Sequence, residues 1–247
     1  MKRLLCFVMA VLLIISLCAC GEDTQTASKG MMADNDNGNQ AVSIDYPVPS
    51  EMTYEDSTNK LGARYVFTLK EYNEMLNKAC KNLGEGTDTS FFDYKNWELM
   101  SDNLTDDNGV VYETYCYPTD VLTITAAVEK ESQKVMQLSC GALYNQFEES
   151  SEDFQYNVIL TSAIISMVAG GYEKDDLTFL YSIFYDSAKE KKGFYYHSNM
   201  YMMDYTKGEG DSQSVVLFMT SPIKDEIKAE FKLTNYATFD GSFEPEK

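Results

Sequence analysis

Apolar residues recur at helical spacing from Leu69 to Leu83, at Leu69, Tyr72, Met75, Leu76, Ala79, Cys80 and Leu83. A stripe of this period occupies one face of an α-helix, so these positions are expected to point inward, with Lys70, Glu74, Lys78 and Lys81 in solvent. Thr68-Leu69-Lys70-Glu71 reads as a capping box, Phe67 is placed to staple against Tyr72, and Gly84 stands where a helix stops. The period then changes to two. Leu122, Ile124, Ala126 and Val128 alternate with Thr123, Thr125 and Ala127, the signature of a strand in a sheet with one covered face. Strands are expected over 110–117, 121–128 and 135–143, joined by turns at Pro118-Thr119-Asp120 and Glu129–Lys134, as an antiparallel meander. Trp97 and Leu99 mark a short strand ahead of it, and Asp106-Asp107-Asn108-Gly109 reads as a hairpin turn.

A second cap signal at Ser150–Asp153 precedes Phe154, Val158, Leu160, Ile164, Ile165 and Val168, a helix apolar on most sides that ends at Gly170-Gly171 and should lie centrally. A third helix is expected over 174–191, with Leu177, Leu180, Tyr181, Phe184 and Ala188 inward and Gly193 as its stop. Strands are expected over 194–205 and 213–220, separated by a Lys207–Asp211 turn. Ser221-Pro222 is placed to open a short helix, and Ala229, Phe231, Leu233, Ala237 and Phe239 alternate along a last strand. The fold class is therefore α+β: an antiparallel sheet with helices on one face. The element order admits two helix-plus-three-strand halves, 65–145 and 172–240, joined by the central apolar helix.

The amino terminus carries a different message. Lys2 and Arg3 precede an apolar run from Leu4 to Leu17, which leads into Leu17-Cys18-Ala19-Cys20. The run falls short of the ~20 residues a spanning helix needs, and its layout is that of a signal peptide. Leu17-x-Ala19-Cys20 resembles the lipobox of bacterial lipoproteins. That resemblance implies a cleaved signal peptide, 1–19, and a diacylglycerol on the sulfur of Cys20, which would tether the chain to the membrane on the extracytoplasmic side. Residues 20–58, rich in Asp, Asn, Ser, Thr and Gly, read as a flexible tether, 59–240 as one globular domain and 241–247 as a tail.

Charge narrows the partners. Loss of Lys2 and Arg3 leaves 18 basic against 39 acidic residues, a formal charge near −21. Polyanions are repelled, so nucleic acid is not an expected partner. With Cys20 acylated, Cys80, Cys116 and Cys140 remain; Cys116 and Cys140 fall on strands that could be neighbours, and either one disulfide or unpaired buried thiols fits the pattern, the second more simply.

Candidate chemistry is sparse. The chain has no Gly-x-Ser-x-Gly elbow, phosphate-binding loop, dinucleotide glycine pattern, His-Glu-x-x-His or Cys-x-x-Cys, and His197 is its one histidine. Asp34–Gly38 mimics a calcium loop, but it would place Ala33 and Ile44 at the two essential ligand positions. No metal or cofactor is expected. The least ordinary segment is Phe194–Tyr205, which as one strand would put Tyr195, His197, Tyr201, Met203 and Tyr205 on a single face. Aromatic and thioether groups of this kind favour adaptable contacts. The expectation is a non-enzymatic binding module for a protein, peptide or small envelope ligand, using the open face of the sheet. Its rivals are an envelope hydrolase built on a carboxylate pair or His197, and a structural or assembly lipoprotein.

Overall fold

A computed structural model describes residues 46–83, 92–119, 122–143, 152–206 and 215–239. The lipobox, the tether up to 45, Gly84, Asp120, Ser150, the 207–211 turn and the 241–247 tail lie outside the described residues. The fold is α+β. Strands β1 (Tyr54–Asp56) and β2 (Ala63–Tyr65) form a small hairpin. They are followed by α1 (Leu69–Leu83), β3 (Glu98–Thr105), β4 (Val111–Pro118), β5 (Thr123–Glu129) and β6 (Val135–Leu143). Helices α2 (Glu152–Gly170) and α3 (Leu177–Glu190) then lead into β7 (Phe194–Tyr196), β8 (Asn199–Thr206), β9 (Val215–Pro222) and β10 (Thr234–Asn235).

The main sheet runs β10-β7-β8-β9-β6-β5-β4-β3, and every pair in it is antiparallel except β10 with β7. Each meander, β4-β5-β6 and β7-β8-β9, offers its last strand to the other, so β6 pairs with β9 at the centre. All three helices lie on one face. Leu69, Tyr72 and Leu76 of α1, Val158, Ile165 and Ala169 of α2, and Leu180, Ile183 and Phe184 of α3 join Ile124, Ala126, Leu138, Cys140, Tyr201 and Phe218 in one core. The apolar α2 sits over β6 and β9 between the other two helices, as its near-absence of a polar face requires. Among the described residues, no helix is long and apolar enough to cross a membrane.

The first helix starts as its sequence dictates. Thr68 N–H donates to Glu71 Oε2 at 2.8 Å, Glu71 N–H donates to Thr68 Oγ1 at 3.3 Å, and the Phe67 ring stacks on Tyr72 at 5.5 Å. The Asp106–Gly109 segment is a hairpin turn, in which Asp106 Oδ1 accepts from the amides of Asn108 and Val110 and Gly109 takes φ +85°.

Four expectations need correcting. Residues 46–58, read as the end of the tether, belong to the fold: they contain β1, and Tyr196 Oη donates to the Pro47 carbonyl at 2.5 Å. The short strand after Trp97 is eight residues long and forms one edge of the sheet. The last strand shrinks to Thr234–Asn235, because Ile227, Phe231 and Leu233 pack with Met200 and Ile223 under the β7–β8 end instead of alternating along a strand. Finally, β5, β6 and β9 are buried on both faces, so the sheet has no open face at its centre. None of Cys80, Cys116 and Cys140 is in a disulfide. Cys116 and Cys140 stand on β4 and β6 with β5 between them, and only Cys140 faces the helices.

Candidate functional site

Phe194–Tyr205 is two strands, not one. His197 and Ser198 both adopt positive φ, +42° and +57°, which a two-residue I′ hairpin turn requires and which Asn-Gly would meet at lower cost. The turn resets the alternation: Phe194 pairs with Tyr201, and Tyr195 with Met200. The five residues expected to share a face are therefore divided: Tyr201, Met203 and Tyr205 keep alternate positions on one face of β8, whereas Tyr195 and His197 leave it. Tyr201 is fully buried beneath α3 with its ring 5.7 Å from Phe184, and Met203 packs against the same core. Tyr205 is exposed. Tyr195 lies on the opposite face under Lys228, whose Nζ sits 4.6 Å from the ring centroid. His197 occupies the turn, exposed, with its ring edge-on to Tyr196 at 4.5 Å.

What the turn does build is an open pocket of about 310 Å³ between loop 48–54, the end of α2 at Gly170 and residues 197–199. Its lining mixes apolar and polar side chains. Val48 and Met52, 67% and 74% exposed, are the two most exposed large apolar side chains among the described residues. Thr53 is only 3% exposed, and its hydroxyl is shut off from the surface with no hydrogen-bond partner. Buried Asn199 carries a hydrogen bond from Tyr65 Oη at 3.2 Å and donates to the His197 carbonyl.

The loop is held by the sequence feature that had marked only a helix stop. Gly171 takes φ +71°, and a side chain there would meet the Glu51 carbonyl at 2.9 Å and Glu51 Cγ at 3.1 Å. Ser50 donates to the Gly171 carbonyl through both its amide and its hydroxyl, each at 2.8 Å. Gly171 thus lets loop 48–54 lie directly on the end of α2.

The chemistry at the turn is hydroxyl chemistry. Tyr54 Oη donates to Ser198 Oγ at 2.8 Å, and burial raises the pKa of the neighbouring Tyr195 phenol, which stands against Ser198 and Asp225. Partial burial lowers the pKa of His197, so its imidazole is neutral at neutral pH. Ser198 accepts from a phenol, and no hydrogen bond joins it to the imidazole. Among the described residues, no three His, Cys, Asp or Glu side chains cluster as metal ligands. A second cleft of about 620 Å³ lies between loop 57–62, the Asp107-Asn108 turn and residues 227–231, where Lys60 spans Asp107 at 3.8 Å and the Phe231 ring at 5.7 Å. Comparison with known proteins finds no matching family model, no matching curated protein and no matching solved structure.

Proposed function

We propose that the protein is an exported lipoprotein, acylated at Cys20 and held to the extracytoplasmic face of the membrane, that binds a protein, peptide or small envelope ligand in the pocket beside the His197-Ser198 turn. The anchoring half is supported by the basic start, the apolar run and Leu17-Cys18-Ala19-Cys20. The observation that carries the binding half is the pocket's construction, in which exposed Val48 and Met52 stand with polar Ser50, Tyr54, Ser198 and Asn199 in one concave lining. Concave sites with apolar walls and a few placed polar groups are where small ligands bind, and exposed apolar clusters mark contact surfaces.

Each half has its own test. Mass spectrometry of the native product should find a diacylglyceryl-modified Cys20 as the first residue, and Cys20→Ala should move the protein into the aqueous phase on detergent partition. A native amino terminus elsewhere, or an unmodified one at Cys20, defeats the anchoring half. For the binding half, Val48→Asp and Met52→Asp alter exposed side chains and should leave the fold intact. A ligand recovered from envelope extract that both variants hold as tightly as wild type does not use this pocket.

A further inference from the structure

We infer that Asn108 is a deamidation site guarded by the fold, and that its conversion to a carboxylate unlatches the β3–β4 turn from the β1–β2 loop. Asn108-Gly109 forms the tip of that turn; both residues are exposed, and nothing lies within 4 Å of the place a Gly109 side chain would occupy. An asparagine followed by glycine is open to attack by the next backbone nitrogen on its own side-chain carbonyl carbon, because no β-carbon screens that nitrogen. The Gly109 nitrogen gives its proton to water and bonds to Asn108 Cγ, the Cγ–Nδ2 bond breaks, and ammonia leaves. Water then opens the cyclic imide at either carbonyl. The net change is amide plus water to carboxylic acid plus ammonia, with an aspartyl or isoaspartyl linkage left in the chain.

The folded turn pins both reacting groups. Gly109 N–H donates to the Asp106 carbonyl at 3.0 Å, and Asn108 Nδ2 donates to the Thr58 carbonyl at 3.1 Å. Buried Asp106 fixes this arrangement. Its Oδ1 accepts from the amides of Asn108 and Val110 at 3.0 and 2.9 Å, and its Oδ2 accepts from the Lys60 amide at 2.8 Å. One carboxylate thereby ties the turn to the β1–β2 loop, and the attack waits on local opening of the turn. Conversion then removes the latch. The product carboxylate has no proton to give the Thr58 carbonyl, and it adds a charge beside Asp106 and Asp107. Asn108 lines the second cleft, where Lys60 already reaches Asp107 at 3.8 Å, so the new charge enters that cleft.

The test incubates the full mature chain in mildly alkaline buffer and follows conversion at Asn108 by peptide mass spectrometry, with isoaspartate scored separately. In the folded chain Asn108 should convert ahead of Asn96 and Asn103, which are equally open to solvent but are followed by Trp97 and Leu104. Unfolding in guanidinium should speed conversion at Asn108 about tenfold, since the turn no longer has to open first. Asp106→Ala should speed it severalfold in native buffer, whereas Gly109→Ala, which disturbs the same turn at φ +85°, should nearly stop it. That opposition separates attack by the Gly109 nitrogen from mere loosening. Asn108→Asp, which carries the product's charge, should lower the thermal midpoint. If Asn96 or Asn103 converts first, or Gly109→Ala converts as fast as wild type, the site is wrongly assigned. A rate indifferent to both guanidinium and Asp106→Ala overturns the guard, and an unchanged midpoint in Asn108→Asp overturns the latch.

Discussion

Glu129 is almost fully buried at the end of β5, where Arg64 Nη1 and Ser132 Oγ both donate to its carboxylate. Arg64 Nε also donates to Glu55 at 2.9 Å, and Lys134 reaches Glu55 at 2.8 Å. Four charges thereby fasten the β1–β2 hairpin to the β5–β6 turn. Arg64→Ala would leave a buried carboxylate short of its counter-ion, and we expect a loss of about 2–3 kcal/mol in urea denaturation, less than for a fully buried pair because Arg64 keeps some solvent. The pH dependence follows from two other carboxyls. Hydrogen bonds from Lys134 and Arg64 lower the pKa of Glu55, and those from the Thr68 amide and hydroxyl lower that of Glu71. A carboxyl that binds its proton less readily when folded stabilises the fold fully above its unfolded value, roughly pH 4.3, and loses that contribution as pH falls through its folded value. Denaturation midpoints should therefore fall on acidification below about pH 4.5, and Glu71→Gln should flatten part of that slope.

At the scale of elements, the β7–β8 turn holds two non-glycine residues in left-handed backbone. Replacing His197 by Asn and Ser198 by Gly supplies the residues this turn prefers, and the pair should raise stability by about 1 kcal/mol, read as an increase in thermal midpoint. If the turn serves the pocket, the same variant should bind the ligand recovered from envelope extract more weakly, since it also removes the hydroxyl that Tyr54 holds. A variant that is no more stable would mean the turn's strain is already offset by its surroundings. This turn was illegible in the sequence because nothing in Tyr196-His197-Ser198-Asn199 announces a glycine-type conformation, and an unbroken apolar-rich run reads as one strand. The opposite holds for α1. There a local hydrogen-bond exchange between Thr68 and Glu71 fixes the start, and both residues are visible as a motif three apart.

Over the whole molecule, strand order decides what the cysteines can do. Two inter-strand spacings of about 4.8 Å separate β4 from β6, beyond the ~7 Å a disulfide tolerates between Cα atoms, and the side chains point to opposite faces. Oxidation should yield no Cys116–Cys140 bridge, and non-reducing peptide mass spectrometry checks this. Cys140 is fully buried and its thiol is pushed up to about 12 by burial. It should resist alkylation until denaturant unfolds the chain, whereas half-buried Cys80 should react earlier. The sheet's two-sided burial belongs to the same scale. The Thr123, Thr125 and Ala127 side of β5 reads as solvent-facing, yet Thr125 and Ser139 hydrogen-bond to each other across β5 and β6, which makes burial of those hydroxyls tolerable.

By itself the sequence determined the fold class, the helices, the central meander and the first cap, because periodicity and capping are local and a few neighbouring residues suffice to set them. The tertiary structure alone decided that 46–58 joins the fold, that Phe194–Tyr205 folds back on itself and that Tyr195 and His197 leave the face of Tyr201 and Met203. It also brought Glu51, Thr53, Gly170 and His197 to one pocket. The joining of 46–58 to the fold and the assembly of the pocket depend on which surfaces more than a hundred residues apart come to lie together, and the free energy of such contacts leaves no trace in the spacing of residues along the chain.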